Sequence, residues 1–345
     1  MDIPRTPDEI TPEWLRAAID NSFPNATFSS LKHERIGEDF GFVSRIYRCR
    51  WQDGDEPRSV VVKLWEPDGG AGVGEARFYQ SFPDVGVRIP ACYFNEFDEE
   101  NNAAVLVLED IQNAVQGDVL RLVDSAQAEG IANSLAAMHA KWMGSPKFEK
   151  YNWMVDVSHW RPEEGWFESR RALFRERFPD RLSSLASETL DHIEAAPWIA
   201  NSRLQAAPRT LSHGDFHLDN ILFESSGQPV FLDWTRPAIG RVAQNLAELL
   251  FKMIPLKLFD TTLNAYRGEF NRVSTRPTTM RALESQLSGA FLRQFSASTC
   301  GMARWQPTLP RAIKIIDENL RKTNEVVEFW QTRHPKLFSF LSRSN

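Results

Sequence analysis

The feature that most constrains the fold of this chain is a change of hydrophobic period near residue 110. Before it, apolar residues come in short strand-like runs, roughly Ser30–Ile36, Val43–Trp51, Ser59–Trp65, Ala91–Phe97 and Ala103–Leu108. Short runs of this kind bounded by turn residues read as strands. Asp53, Gly54 and Asp55 separate the second run from the third and favour a tight hairpin. A helix is expected from Glu75 to about Phe82. A short one is expected over 11–21, where Thr11 can cap and Pro12 takes the first helical position. After residue 110 the spacing turns helical. Ile131, Leu135, Met138 and Trp142 recur on one face, then Val242, Leu246, Leu249 and Met253 with Pro255 as a stop, then Ile313, Ile316, Leu320 and Val327. One β island, Asn220–Phe223 and Pro229–Leu232, interrupts the helices. The pattern predicts an α+β chain: a mainly antiparallel sheet with a leading helix and one further helix over 1–110, and a helix-rich region over 111–345.

With 345 residues the chain is long enough to bury a core without disulfide or metal staples. Its three cysteines, Cys49, Cys92 and Cys300, are widely spaced and suggest neither a disulfide framework nor a zinc knuckle, so a reducing, cytoplasmic setting is expected. The first ten residues contain no apolar run and do not read as a signal peptide. The longest uninterrupted apolar stretch, Ala103–Leu108, falls far short of the ~20 residues of a membrane span. A net charge of −6 argues against general nucleic-acid binding. That charge is uneven: residues 246–345 carry 15 Lys and Arg against 8 Asp and Glu, a net of +7, and the rest of the chain is strongly acidic.

The densest chemistry lies in Leu211–Asp233. His213, Asp215 and Asn220 fall in one loop, and Asp233 ends the second small strand, where a hairpin would bring it near Asn220. Three oxygen-bearing side chains that converge suit a hard cation such as Mg²⁺. Phosphoryl transfer asks for this set: a carboxylate to orient a hydroxyl and accept its proton, and an amide oxygen and second carboxylate to hold the metal. Asp215 is the candidate base, and Asn220 and Asp233 are the candidate metal ligands.

The segment His213-Gly214-Asp215, Asn220 and Leu232-Asp233-Trp234 resembles the aminoglycoside phosphotransferase and choline kinase-like superfamily. The resemblance runs in order over roughly residues 30–255. It implies a two-lobed protein-kinase-like fold, with a small antiparallel-sheet N-terminal lobe and a larger helical C-terminal lobe. It also implies ATP and Mg²⁺ as cofactors and a small-molecule hydroxyl as acceptor. Lys63, at the end of Val60-Val61-Val62, would bind the phosphates and pair with Glu75. Gly37 and Gly41 would let backbone amides approach an anion in the turn 36–43. Glu109 and Ile111 would border the adenine at a hinge. Thr11-Pro12-Glu13-Trp14-Leu15 and the hinge resemble the ecdysteroid-kinase-like branch. One residue departs from the pattern: Asn245 stands where the family usually has Asp, which motivates an alternative reading as a catalytically silent binding module.

Other readings fit less well. His213-x-Asp215-x-His217 could share a strand face and bind a hydrolytic metal, but no second cluster completes it. Gly70-x-Gly72-x-Gly74 fails the dinucleotide spacing and reads as a loop before a helix. A protein kinase should carry Asp-Phe-Gly and Ala-Pro-Glu, which are missing. His139 reads as a core histidine. Trp153, Trp160 and Trp166 could line an apolar pocket or simply pack. The basic residues of 246–345 favour a neutral or anionic acceptor.

Overall fold

The computed structural model describes residues 1–37, 44–65, 72–157, 165–192 and 207–338. Gly41, Gly70 and Trp160 lie outside the described residues. The chain divides into two compact units. The first gathers Met1–Gln116 with His213–Asp215 and Asp219–Pro237; the second holds Gly117–Ser212, Phe216–Leu218 and Ala238–Asn345.

The first unit is built on five antiparallel strands: β1 (Ser29–Ile36), β2 (Ser44–Asp53), β3 (Glu56–Trp65), β4 (Cys92–Asp98) and β5 (Ala103–Glu109), in the order β1-β2-β3-β5-β4. Alternation along the strands gives the sheet two different faces. Tyr47, Cys49 and Trp51 of β2, and Val60, Val62 and Leu64 of β3, join a core with Leu15 and Ile19 of α1 (Pro12–Ile19). Thr11 caps that helix by accepting from the Trp14 amide. The intervening residues Ile46, Arg48, Val61 and Lys63 line a cavity on the other side. A second helix, α2 (Gly72–Ser81), packs on β4 and β5. The unit is completed by a second sheet, in which β6 (Val115–Gln116) pairs with β9 (Ile221–Phe223), and β9 with β10 (Pro229–Phe231). This pairing draws the β island into the first unit.

The second unit is helical. Ser125–Trp142 (α3) packs against Phe259–Val273, and Trp166–Arg177 against Met280–Arg304. Ile131, Leu135, Met138 and Trp142 are all buried, as their spacing predicts. The long helix Pro310–Arg333 buries Ile316, Leu320 and Val327, but Ile313 is exposed on its first turn. The sequence pattern also misses a small sheet here: β11 (Ala238–Arg241) lies between β7 (Val155–Asp156) and β8 (Arg209–Ser212). These strands are two to four residues long, too short for a period to register. No described helix is long and apolar enough to cross a membrane.

Candidate active site

Lys63 lies on β3 between Ile46 of β2 and Leu106 of β5, so both neighbours in the register are apolar. It is 5% exposed. A buried ammonium needs a counter-charge, and it has two. Its Nζ donates to Glu75 Oε2 at 2.5 Å and to Asp233 Oδ1 at 3.1 Å. Burial works against the charged lysine, but the two carboxylates outweigh it and hold its pKa above the ordinary value. Glu75, in the first turn of α2, uses its other oxygen to accept from the Trp234 amide at 3.2 Å. Gly74 lies so close to the Thr235 carbonyl that a Cβ would come within 2.7 Å of that oxygen, so a small residue there seats the helix on the strand end.

Asp233 adopts φ +58°, a left-handed conformation that Asp tolerates better than most residues. The bend turns the chain from β10 back toward α2. Burial pushes the Asp233 carboxyl up, but the Lys63 ammonium, helped by the Thr235 side chain, leaves it below the usual carboxylate range. It is therefore ionised at neutral pH.

The loop before β9 is fixed by backbone and histidine contacts. Asn220 Nδ2 donates to the Asp215 carbonyl at 2.9 Å, and the Leu232 amide donates to the Asn220 carbonyl at 2.8 Å. His213 is fully buried; its Nε2 lies 2.8 Å from the Leu232 carbonyl, and its Nδ1 lies 3.4 Å from the Asp215 amide. A carbonyl can only accept and an amide N–H can only donate, so this arrangement is met when Nε2 donates and Nδ1 accepts. His213 thus links the backbone of Asp215 to the strand that ends at Asp233. Gly214, at φ +84°, leaves room for the Arg236 carbonyl, which a Cβ would meet at 1.7 Å. Asp215 is exposed.

Lys63, Glu75, Asn220 and Asp233 line one cavity of about 340 Å³ together with Gly37, Glu109 and Ile111. That volume is within the ~300–1,000 Å³ of small-molecule sites. Asp215 is not among its lining residues. Gly37 follows β1 at φ +74°. The Glu109 carboxylate is turned to Arg88, which donates to both of its oxygens, at 2.9 and 2.6 Å. Burial raises that carboxyl, and Arg88 and the Ala91 amide more than offset the rise. The side chain of Glu109 therefore braces the chain.

Two contributors, Arg88 and Gln116, had no signal in the sequence, and a third, Asp110, had only its place in the hinge-like stretch. Arg88 also donates to Glu224 at 3.3 Å, while its carbonyl accepts from Phe231 at 2.9 Å, so it ties β5 to β9 and β10. Asp110 accepts from Arg48 at 2.8 Å, Ser59 at 2.7 Å and Gln112 at 2.6 Å. Gln116 donates to the Asp219 carbonyl at 2.8 Å. Each joins residues far apart in sequence. Trp234 was readable only as the neighbour of Asp233.

The residues fit a divalent cation accompanied by phosphate. Among the described residues no group of three or more His, Cys, Asp or Glu is arranged to hold a metal. Mg²⁺ takes one or two protein oxygens and fills its other positions from water and substrate phosphates. Asn220 and Asp233 could supply that number; the amide nitrogen of Asn220 donates to the Asp215 carbonyl, so its oxygen would be the atom left to ligate. Lys63 faces two carboxylates. A polyphosphate entering beside that pair requires added positive charge.

The sequence profile of the phosphotransferase enzyme family matches residues 41–283. Among solved structures, a candidate aminoglycoside phosphotransferase of Ralstonia eutropha superposes with a TM-score of 0.58 at 15% identity, over 95% of this chain and 99% of that one. The choline kinase LicA of Streptococcus pneumoniae gives 0.53 at 14% identity, over 91% and 98%. A spectinomycin phosphotransferase in complex with ADP and spectinomycin gives 0.55 at 12% identity, over 94% and 99%. At these identities the likeness is one of fold, and it is the kinase-like α+β fold. No curated protein sequence matches the chain significantly.

Proposed function

We propose that this chain, which belongs to the phosphotransferase enzyme family, is an ATP- and Mg²⁺-dependent kinase that phosphorylates a hydroxyl of a small molecule. The observation that carries the reading is the convergence of Lys63, Glu75, Asn220 and Asp233 on one cavity, with Asp215 tied to Asn220. In this mechanism the nucleotide lies in the cavity, with the backbone of Glu109 and Ile111 beside the base. Glu75 holds the Lys63 ammonium against the phosphates. Mg²⁺ held by Asn220 and Asp233 would neutralise the charge on the phosphates. Asp215 orients the acceptor hydroxyl for in-line attack and accepts its proton. Catalysis is then mainly positioning and electrostatics. Gly37 and Gly41 remain the candidates for backbone contact with the phosphates.

Asn245 is compatible with this reading. It is buried in the second unit and donates to Glu248 at 2.8 Å. An Asp there would set two carboxylates side by side, at a cost. The amide suits its neighbour, which weakens the motive for a silent binding module.

The test is ADP release by wild type and Asp215→Asn against a panel of hydroxyl compounds. The variant is expected to bind nucleotide normally and lose at least ~100-fold in transfer, as removal of a general base does. Near-wild-type turnover would sink the assignment.

A further inference from the structure

The residue at position 236 is forced to flank the candidate base. Its carbonyl packs directly on the Cα of Gly214, and its Cβ lies 3.3 Å from where a Gly214 Cβ would be. Asp215 is the next residue in the chain. Only glycine at 214 permits that approach, so the side chain at 236 emerges within one residue of Asp215 whatever it is. Here it is arginine, which is exposed and makes no hydrogen bond or ion pair among the described residues. Neither Arg236 nor Asp215 lines the nucleotide cavity, whose phosphate end has its own cation in Lys63.

We propose that Arg236 is a specificity residue that receives an anionic group, a phosphate or carboxylate, carried by the acceptor substrate. This rests on the kinase reading above and names the substrate class for the same site. An unpaired guanidinium offers planar, bidentate recognition of such groups. The same charge repels polycationic acceptors, so it selects in both directions. Asp215 and Arg236 then divide the acceptor between them: the carboxylate takes the hydroxyl, the guanidinium the anionic end. The net charge of +7 in residues 246–345 points the same way.

The test uses the full chain loaded with Mg²⁺ and a non-hydrolysable ATP analogue, so that the nucleotide-phosphate subsites are filled. Inorganic sulfate is titrated by calorimetry into wild type, Arg236→Gln and Arg236→Glu. Loss of one charge-assisted contact should weaken sulfate binding about tenfold in the Gln variant and further in the Glu variant. Affinity for the ATP analogue should be unchanged in both. Equal sulfate affinity in all three proteins, with the analogue still bound, would overturn this proposal and leave the kinase reading standing. Failure of wild type to bind the analogue at all would overturn both. Arg236→Gln that weakens the analogue itself would assign Arg236 to the nucleotide and also overturn the proposal.

Discussion

The Phe78 and Trp234 rings are stacked face to face, with 4.2 Å between centroids and 6° between planes. Both are fully buried. Trp234 also meets His213, at 4.4 Å between centroids. One indole thus touches the helix that carries Glu75 and the histidine that holds the Asp215 backbone, while its own amide donates to Glu75. The distance between the candidate phosphate-binding and base regions depends on this packing.

Trp234→Ala is therefore expected to cost about 3–5 kcal/mol of stability, the range for deleting a buried aromatic side chain. Trp234→Phe should keep most of it, because the stack survives. Urea unfolding measures the loss, and nucleotide affinity measured in parallel should fall in the Ala variant only. Equal stability of the Ala variant would mean that the stack contributes little.

Gly214→Ala should be harmful out of proportion to one methyl group. The residue is at φ +84°, and the new Cβ would overlap the Arg236 carbonyl, so backbone must move. A stability loss of at least ~1 kcal/mol is expected from the left-handed backbone alone. Displacement of Asp215 by even ~1 Å should cost about 100-fold in turnover. ADP-release kinetics on the folded variant check the second effect.

The pH dependence of stability should carry a signature of His139. It is fully buried, with Nδ1 2.8 Å from the Tyr266 hydroxyl. Burial pulls its pKa from 6.5 down to about 4, against a weaker upward effect of Asn245. The folded state therefore holds it neutral while the unfolded chain takes up the proton first. Its contribution is complete above pH 6.5, is lost as pH falls toward 4, and changes no further below that. The shift corresponds to a loss on the order of 3 kcal/mol across that window. His139→Gln should flatten this part of the urea-midpoint profile, and an unchanged slope would contradict it.

The local parts of the structure were legible in the sequence. The strand-like runs marked the strands that carry Lys63 and its neighbours, and the motif spacing singled out Asp215, Asn220 and Asp233 as candidates. Helical spacing found the buried face of α3, and His139 is the core histidine that its position suggested. What could not be read depends on distant pairing. Nothing local to Val115–Gln116 announces that it will pair with Phe223 and Leu222, more than a hundred residues on. Nor does Arg88 announce its contacts to Glu109 and Glu224. The three short strands of the small sheet in the helical unit fall below the length at which a period shows. Glu109 lines the cavity, but its carboxylate serves Arg88.

The central claim is that Asp233 and Asn220 hold Mg²⁺ with a nucleotide beside Lys63. The most direct measurement is thermal unfolding with and without Mg²⁺, against ATP, GTP and no nucleotide, in wild type and Asp233→Asn. Asparagine tolerates the left-handed backbone at this position, so the substitution removes charge with little strain. At about 100 times its dissociation constant a ligand adds roughly 2.7 kcal/mol of stability. A nucleotide-dependent rise in the midpoint of wild type that requires Mg²⁺, and its loss in Asp233→Asn, is the predicted result. No shift in wild type at millimolar nucleotide, or a shift indifferent to Mg²⁺ and to Asp233, would contradict it.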